Sequence, residues 1–138
     1  MKNKICFALI AAFGLTLAGC AHKGAYEPVN ATVGDLENSQ RFVLMDPGAQ
    51  RSVTLAGPIQ ESIGADGRLE VVANLRNREG RRIQVQVNCV FKDAQGFSTG
   101  DETPWQTLIL TENAQEAVRF TAMNDRSRKY TIRVREAR

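Results

Sequence analysis

The sequence is poor in the residues that build catalytic and metal centres. Its 138 residues include one histidine, three cysteines and one tryptophan. The histidine, His22, stands two residues after Cys20, outside the part of the chain that is patterned like a folded domain. A catalytic triad needs a histidine base inside its domain, and zinc sites need clusters of histidine and cysteine. We therefore predict no catalytic residues of this kind and no metal site.

Motifs for cofactors and nucleic acids are also missing. The chain contains no glycine-rich phosphate loop and no dinucleotide fingerprint, and it contains no nucleic-acid-binding motif. The formal net charge of +3 includes Lys2 and Lys4 of the N-terminal segment. The rest of the chain is thus close to neutral, and we predict neither a cofactor nor a nucleic-acid partner.

The N-terminus has the layout of a bacterial export signal. Two lysines within residues 1–4 precede a stretch without charge from Ile5 to Ala21, as in a secretory signal peptide. A membrane-spanning helix is the alternative, but it needs about 20 apolar residues, and this run is shorter and interrupted by glycines. The pattern favours a cleaved signal peptide over residues 1–19.

The end of this run, Leu17-Ala18-Gly19-Cys20, resembles the lipobox of bacterial lipoproteins. A thiol can take a diacylglyceryl group as a thioether, and small residues before it let a signal peptidase approach. The alternative is a free thiol at an ordinary cleavage site. The next residue is Ala21, whereas an aspartate there is associated with retention in the inner membrane. We predict lipid attachment at Cys20 and a location on the periplasmic face of the outer membrane of a Gram-negative bacterium.

After the leader, the chain divides into a tether and one domain. Residues 20–40 are polar and broken by glycine and proline, which is typical of a flexible linker. Residues 41–138 contain the apolar alternation of a folded domain. Cys89 is the one cysteine in that domain, so no disulfide can form within it, and the domain must depend on its apolar core. We interpret Cys89 as a buried small apolar residue, with a reactive thiol as the alternative.

Apolar residues recur at every second position in two neighbouring segments, which predicts two half-buried strands. The apolar positions are Leu69, Val71, Ala73 and Leu75 in the first segment, and Ile83, Val85, Val87, Cys89 and Phe91 in the second. A three-residue loop at 78–80 would pair Asn77 with Arg81 and place both apolar sets on one side. We therefore predict a β-hairpin in that register.

Further short strands are predicted at 41–45, 51–57, 105–110, 117–122 and 129–136. The first two flank Asp46-Pro47-Gly48, a turn signal, and 98–104 is interpreted as a loop. No segment has a convincing helical period. About seven short strands separated by turns indicate an all-β, antiparallel β-sandwich.

Two regions of the domain are candidates for binding. In the 97–105 loop, Trp105 and Asp101 are possible ligand contacts, although a structural role for the tryptophan and a solvated loop are the alternatives. The C-terminal part is strongly basic, and the candidate patch consists of Arg119, Arg128, Lys129, Arg133 and Arg135. Such a patch suits acidic lipid head groups, peptidoglycan carboxylates or an acidic protein. The alternative is a charged strand that guards a sheet edge against aggregation.

Three segments resemble the YcfL family of bacterial lipoproteins: "FKDAQG", "TPWQTLIL" and "VRFTAMNDRSRKYTIRVRE". The resemblance covers roughly residues 40–138. It implies an immunoglobulin-like β-sandwich in the periplasm and transfers no catalytic residue. Trp105, Asn124 and Tyr130 match the pattern, and the resemblance implies structural roles for them.

These observations favour a non-enzymatic lipoprotein that is held to the membrane by its N-terminal lipid and acts as a binding or assembly module of an envelope complex. The partner would be an envelope protein or peptidoglycan, and the oligomeric state is left open. The alternative is an envelope carbohydrate-binding, peptidoglycan-binding or hydrolase-type protein that uses the 97–105 loop.

Cys20→Ser tests the predicted lipid anchor. The substitution removes the thiol that would carry the lipid, so the protein should leave the membrane fraction, because two or more acyl chains are needed for stable anchoring. Cell fractionation followed by immunoblotting measures this. A variant that stays as tightly bound as the wild type, with its leader removed normally, would contradict the assignment.

Overall fold

The computed structural model describes Val29 and residues 35–137. Within them, nine strands and two short helices form a sandwich of two sheets, which confirms the predicted all-β sandwich and corrects the strand number from about seven. The elements are α1 (Leu36–Ser39), β1 (Phe42–Leu44), α2 (Pro47–Ser52), β2 (Val53–Leu55), β3 (Gln60–Ile63), β4 (Leu69–Asn77), β5 (Ile83–Lys92), β6 (Ser98–Glu102), β7 (Gln106–Leu110), β8 (Gln115–Thr121) and β9 (Lys129–Glu136).

Each sheet is built around one long strand. In sheet A, β5 has β9 on one edge and both β6 and β7 on the other, and β1 adds to the far side of β9. In sheet B, β4 has β8 on one edge and both β2 and β3 on the other. The pairs are antiparallel except β1 with β9, which run parallel with Phe42 opposite Ile132. This pair departs from the purely antiparallel sandwich that was predicted.

The core lies between the sheets and is formed by the alternating residues that the sequence indicated. The odd-numbered residues of β4 and β5 are buried, and Val118, Phe120 and Ala122 close the core from β8 and the residue after it. The strand β9 contributes Tyr130, Ile132 and Val134, all buried. The predicted inward faces of these four strands are therefore confirmed.

The predicted hairpin between β4 and β5 is wrong. The two strands belong to different sheets, and their apolar faces meet across the core instead of lying side by side. Both edges of β4 pair with other strands, and so do both edges of β5. Alternation determined which face of each strand is buried, but it could not determine which strand lies beside it.

A buried asparagine fixes the crossing from sheet B to sheet A. The side-chain nitrogen of Asn77 donates to the carbonyls of Arg81 (2.7 Å) and Thr111 (2.8 Å), and its Oδ1 accepts from the Glu79 amide (2.8 Å). The residue is fully buried. These bonds satisfy polar groups that would otherwise be costly inside the protein, and they hold the 78–82 connection away from hairpin geometry.

The segment Asp46-Pro47-Gly48, predicted as a turn, begins the helix α2. Asp46 caps this helix by accepting from the Ala49 amide (2.8 Å), and proline occupies the first turn, where its missing N–H costs nothing. Asp46 also accepts from the Glu136 amide (2.8 Å), which ties α2 to β9. A Cβ at Gly48 would lie 1.9 Å from the Glu136 carboxylate, so a larger residue here would require the exposed Glu136 side chain to move.

The folded part of the chain begins before residue 41. Helix α1 is capped by Asp35 and lies on the outer side of sheet A, where the Lys92 ammonium donates to the Glu37 carbonyl (2.7 Å) and to the Thr131 hydroxyl (2.9 Å). Cys20 and most of the predicted tether and leader lie outside the described residues. Within residues 29 and 35–137, no helix has the length and apolar character needed to span a membrane.

A pair of engineered disulfides distinguishes the two-sheet arrangement from the hairpin. Asn74 and Ala117 are exposed register partners on β4 and β8, so Asn74→Cys with Ala117→Cys should oxidise readily, because cross-strand Cβ atoms lie close to disulfide distance. The hairpin would instead place Asn74 opposite Gln84. Asn74→Cys with Gln84→Cys should remain reduced, since these residues lie on the outer faces of sheets about 10 Å apart. Peptide mapping under oxidising conditions detects the bonds, and a 74–84 bond would overturn the topology.

Candidate binding surface

The outer face of sheet A carries a continuous set of polar and aromatic side chains. Even-numbered residues of β5 and odd-numbered residues of β9 point away from the core, so Gln86 lies beside Arg135 and Asn88 beside Arg133. Residues of β7 on this face include Thr107, the register partner of Gln86. Trp105, directly before β7, joins this surface through its ring contacts with β9.

Arg133 is the centre of a hydrogen-bond network on this face. Its Nε donates to Asn88 Oδ1 (2.9 Å), and its Nη2 donates to the Glu102 carboxylate. Glu102 also accepts from the Asn88 amide (2.8 Å), and the Glu37 carboxylate of α1 lies 3.7 Å from Nη1. The Arg133 side chain is only 16% exposed. Arg133 is therefore largely covered by its neighbours, and it holds β9, β5, β6 and α1 together.

Arg135 and Trp105 form a cation–π pair beside this network. The Arg135 guanidinium carbon lies 3.9 Å from the centre of the Trp105 ring, and that of Arg133 lies 5.2 Å away. Arg135 Nε donates to Gln86 Oε1 (2.9 Å), but Arg135 makes no ion pair with any described residue. An open depression of about 440 Å³ lies here, lined by Met45, Asp46, Gln86, Trp105 and Arg135.

The predicted basic patch is divided by the fold. Arg119 lies on β8 in sheet B, where its guanidinium bonds to Glu70 (2.6 Å). Arg128 and Lys129 lie at the opposite end of sheet A from Arg135. Glu37 of α1 lies between the two ends, where its carbonyl accepts from Lys92 and its carboxylate lies 3.7 Å from Arg133. The strand β9 lies between β1 and β5, so Arg133 and Arg135 do not stand on an edge strand, whereas Arg119 lies on β8, which pairs with β4 alone among the described strands.

The structure separates Asp101 from Trp105. The segment predicted as a loop contains β6, and Asp101 is only 5% exposed, with its Oδ2 accepting from the Met123 amide (2.5 Å). Glu102 points outward to Arg133, so the two adjacent carboxylates face opposite sides. No described depression brings Asp101 and Trp105 together, and the ligand pair considered for a hydrolase is not formed.

Cys89 and the other titratable groups of the interior do not form a reactive centre. Burial raises the pKa of the Cys89 thiol to about 12, with the Asp101 charge adding to the effect, so the thiol is protonated at neutral pH. Cys89 is fully buried, which confirms its interpretation as a small apolar residue. Burial also raises the pKa of Tyr130, whose hydroxyl donates to Glu61 (2.9 Å). Among residues 29 and 35–137, no group of three potential ligands could hold a metal ion.

Several residues of this surface were missed by the sequence analysis. Asn88 and Gln86 were seen only as polar positions of a strand, and Glu102 only as a neighbour of Asp101. Met45 and Glu37 gave no signal, because each reaches the surface from a segment that becomes adjacent only in the folded chain. The full burial of Asn88 goes with its contacts to Glu102 and Arg133, which form only in the folded chain, so nothing in the sequence indicated it.

Arg133→Met tests how much the Arg133 network contributes to the stability of the fold. Removing the guanidinium leaves the buried Asn88 Oδ1 without its donor and Glu102 without its ion pair, so the free energy of unfolding should fall by about 1–3 kcal/mol. Arg135→Met is the matched control and should cost less than about 1 kcal/mol, since it removes one hydrogen bond and a surface cation–π contact. Urea denaturation measures both, and equal midpoints would contradict the central position of Arg133.

The fold has relatives among solved structures. The crystal structure of Campylobacter jejuni cj0090 aligns with a TM-score of 0.58 and 19% identity over 70% of this chain and 98% of that one. A DUF1425 family member from Shewanella sp. pv-4 aligns with a TM-score of 0.54 and 22% identity over 62% of this chain and 77% of that one. At these identities the likeness concerns the fold alone. No curated protein matches the chain.

The family assignment comes from the sequence of the folded part. Residues 37–136 match the family described as "Protein of unknown function (DUF1425)". The match begins in α1 and ends at the last residue of β9, so it includes both sheets and the whole outer face of sheet A. The chain therefore belongs to the DUF1425 family.

Proposed function

We propose that this protein is a non-catalytic binding module of the bacterial envelope that holds a partner protein on the outer face of sheet A. The observation that carries the proposal is the contact of Trp105 with Arg135 at 3.9 Å beside the exposed Met45. Tryptophan, arginine and methionine are enriched at protein interfaces, and tryptophan and arginine dominate the residues on which binding energy depends.

The surface is held in place before any partner arrives. Arg133 is fixed by Asn88 and Glu102, and its guanidinium lies 5.2 Å from the Trp105 ring. Arg135 is held by Gln86. A side chain that is already ordered loses little conformational entropy on binding. The network thus supports a surface suited to contact with a preformed partner.

The charge of Arg135 indicates the chemistry of that partner. Arg133 has two carboxylate neighbours, Glu102 and Glu37, whereas among the described residues Arg135 donates only to the amide oxygen of Gln86 and forms no ion pair. The Asp46 carboxylate lines the same depression, where it accepts from the Ala49 and Glu136 amides. A guanidinium can bind a carboxylate through two parallel hydrogen bonds. A partner that presents an aspartate or glutamate to Arg135 would complete this site.

The N-terminal sequence supports a proposed location for the module. The lipobox-like segment ending at Cys20 and the resemblance to YcfL lipoproteins support lipid attachment and a place on the periplasmic face of the outer membrane. A non-enzymatic role agrees with the separation of Asp101 from Trp105 and with the buried, protonated Cys89 thiol.

Arg135→Gln tests the proposed interface. The full-length protein is crosslinked in intact cells and purified, and captured proteins are compared among the wild type, Arg135→Gln and Trp105→Ala. Each variant should lower the yield of the captured partner about ten-fold or more, as expected for an interface residue of this type. Capture by the wild type should also fall with added salt, because exposed charges are screened.

The control is Arg119→Gln, which removes the same charge from an exposed position of sheet B and should leave capture unchanged. Equal capture by all the variants would refute the interface. Binding of the wild type to isolated peptidoglycan sacculi, lost in Arg135→Gln without any change in captured proteins, would replace the protein partner with a carbohydrate polymer.

A further inference from the structure

A second depression, of about 420 Å³, lies at the Lys129 end of sheet A and is also lined by Glu61 of β3 in sheet B. We name it the basic cleft, and its charged and phenolic lining consists of Arg41, Glu61, Lys92, Arg128, Lys129 and Tyr130. Four of these side chains are cations and one is a carboxylate. The cleft therefore has an excess of positive charge, and what it can bind depends on which cations are already neutralised.

Two of the cations already form hydrogen bonds or an ion pair within the protein. Arg41 bonds to Glu61 (2.5 Å), and the same Glu61 oxygen accepts from the Tyr130 hydroxyl (2.9 Å). Lys92 is only 6% exposed and donates to the Glu37 carbonyl and the Thr131 hydroxyl. These contacts use the carboxylate of the cleft and hold α1 in place.

The other two cations, Arg128 and Lys129, have no carboxylate partner among the described residues. Arg128 is held by bonds from Nη1 to the carbonyls of Asp125 (2.6 Å) and Ser127 (2.7 Å), which leave its other donors available. The Lys129 side chain is exposed and makes no hydrogen bond with a described residue. A fixed guanidinium beside an exposed ammonium suits an anion with several oxygens, such as a phosphate group.

Exposed apolar side chains flank the cleft. Leu36 of α1 is 62% exposed, two residues before Asn38 of the lining, and Phe97 is 72% exposed, next to Gly96 of the lining. Cations combined with exposed leucine and phenylalanine are typical of surfaces that lie in the interface of an anionic membrane. A small soluble anion would need the cations but would gain nothing from these apolar residues.

The chain enters the domain at this cleft. Residues 38–41 line it, and the segment before Asp35 leads back to the predicted anchor at Cys20. A flexible coil of that length spans roughly 20 Å, so an anchored protein would keep the basic cleft near the lipid surface. The position of the cleft relative to the predicted anchor and the positive charge of the cleft both favour an anionic lipid surface as its occupant.

We propose that the basic cleft binds the phosphate head groups of anionic phospholipids, with Leu36 and Phe97 entering the membrane interface. This contact is separate from the protein interface around Arg135 and does not depend on it. It would orient the domain on the membrane, with α1 and the 93–97 turn toward the lipid.

The test uses the chain from residue 20 onward with Cys20→Ser, so that no acyl chain contributes. All core residues lie between Val43 and Val134, so this chain contains the complete core. Binding is measured by co-sedimentation with phosphatidylcholine vesicles that contain or lack phosphatidylglycerol. Each cation near an anionic surface contributes roughly five-fold to affinity, so Arg128→Gln with Lys129→Gln should lower binding about twenty- to thirty-fold.

The matched control is Arg119→Gln with Arg126→Gln, which removes the same charge from exposed positions that do not line the cleft and should change binding only slightly. Leu36→Ser with Phe97→Ser should weaken binding to vesicles without removing any charge. Equal losses in the two charge variants, or binding that does not require phosphatidylglycerol, would overturn the proposal. So would full competition by inorganic phosphate together with unchanged binding of the Leu36 and Phe97 variant, since the cleft would then be a site for a small soluble anion.

Discussion

The apolar faces of β4 and β5 meet across the space between the two sheets, and the rest of the molecule is arranged around this contact. Each strand buries alternate residues, such as Leu75 and Val87, which are at most 1% exposed. A fully buried side chain of this size contributes about 1.5–3 kcal/mol. Because each face is covered by the opposite sheet, both strands are free to pair along both edges, and every other strand except β1 attaches directly to one of them.

This arrangement leaves the outer face of sheet A available for other contacts. The core uses the odd-numbered residues of β5, so the even-numbered ones, with the neighbouring residues of β9, form an outward surface. Arg133 connects four elements there, and α1 covers the stretch between the Arg135 end and the Lys129 end. Sheet A thereby contributes to two surfaces of different character, one aromatic and guanidinium-rich and one a basic cleft with apolar flanks that also includes Glu61 of sheet B.

The sequence predicted those parts of the fold that depend on local alternation. The strands β4, β5, β8 and β9 and their buried faces follow from apolar residues at every second position. The strand β3 was not predicted, because all four of its residues are exposed, and β6 was taken for a loop, because its residues are small or polar. The neighbours of each strand depend on contacts between distant segments, which alternation does not report, and the hairpin prediction failed for this reason. The same limit applies to the site, where Trp105, Arg133 and Arg135 were identified but their partners Asn88, Gln86 and Glu102 were not.

The central claim is that the outer face of sheet A is the surface with which this protein binds its partner. Site-specific photocrosslinking in living cells tests it most directly, with a photoreactive residue placed at Thr107 on this face or at Asn74 on the outer face of sheet B. Both positions are exposed, and Thr107 lies beside Gln86 in the sheet register. If the partner binds this face, a discrete crosslinked product forms from position 107 and none forms from position 74. A product from position 74 alone, or the same products from both positions, would contradict it.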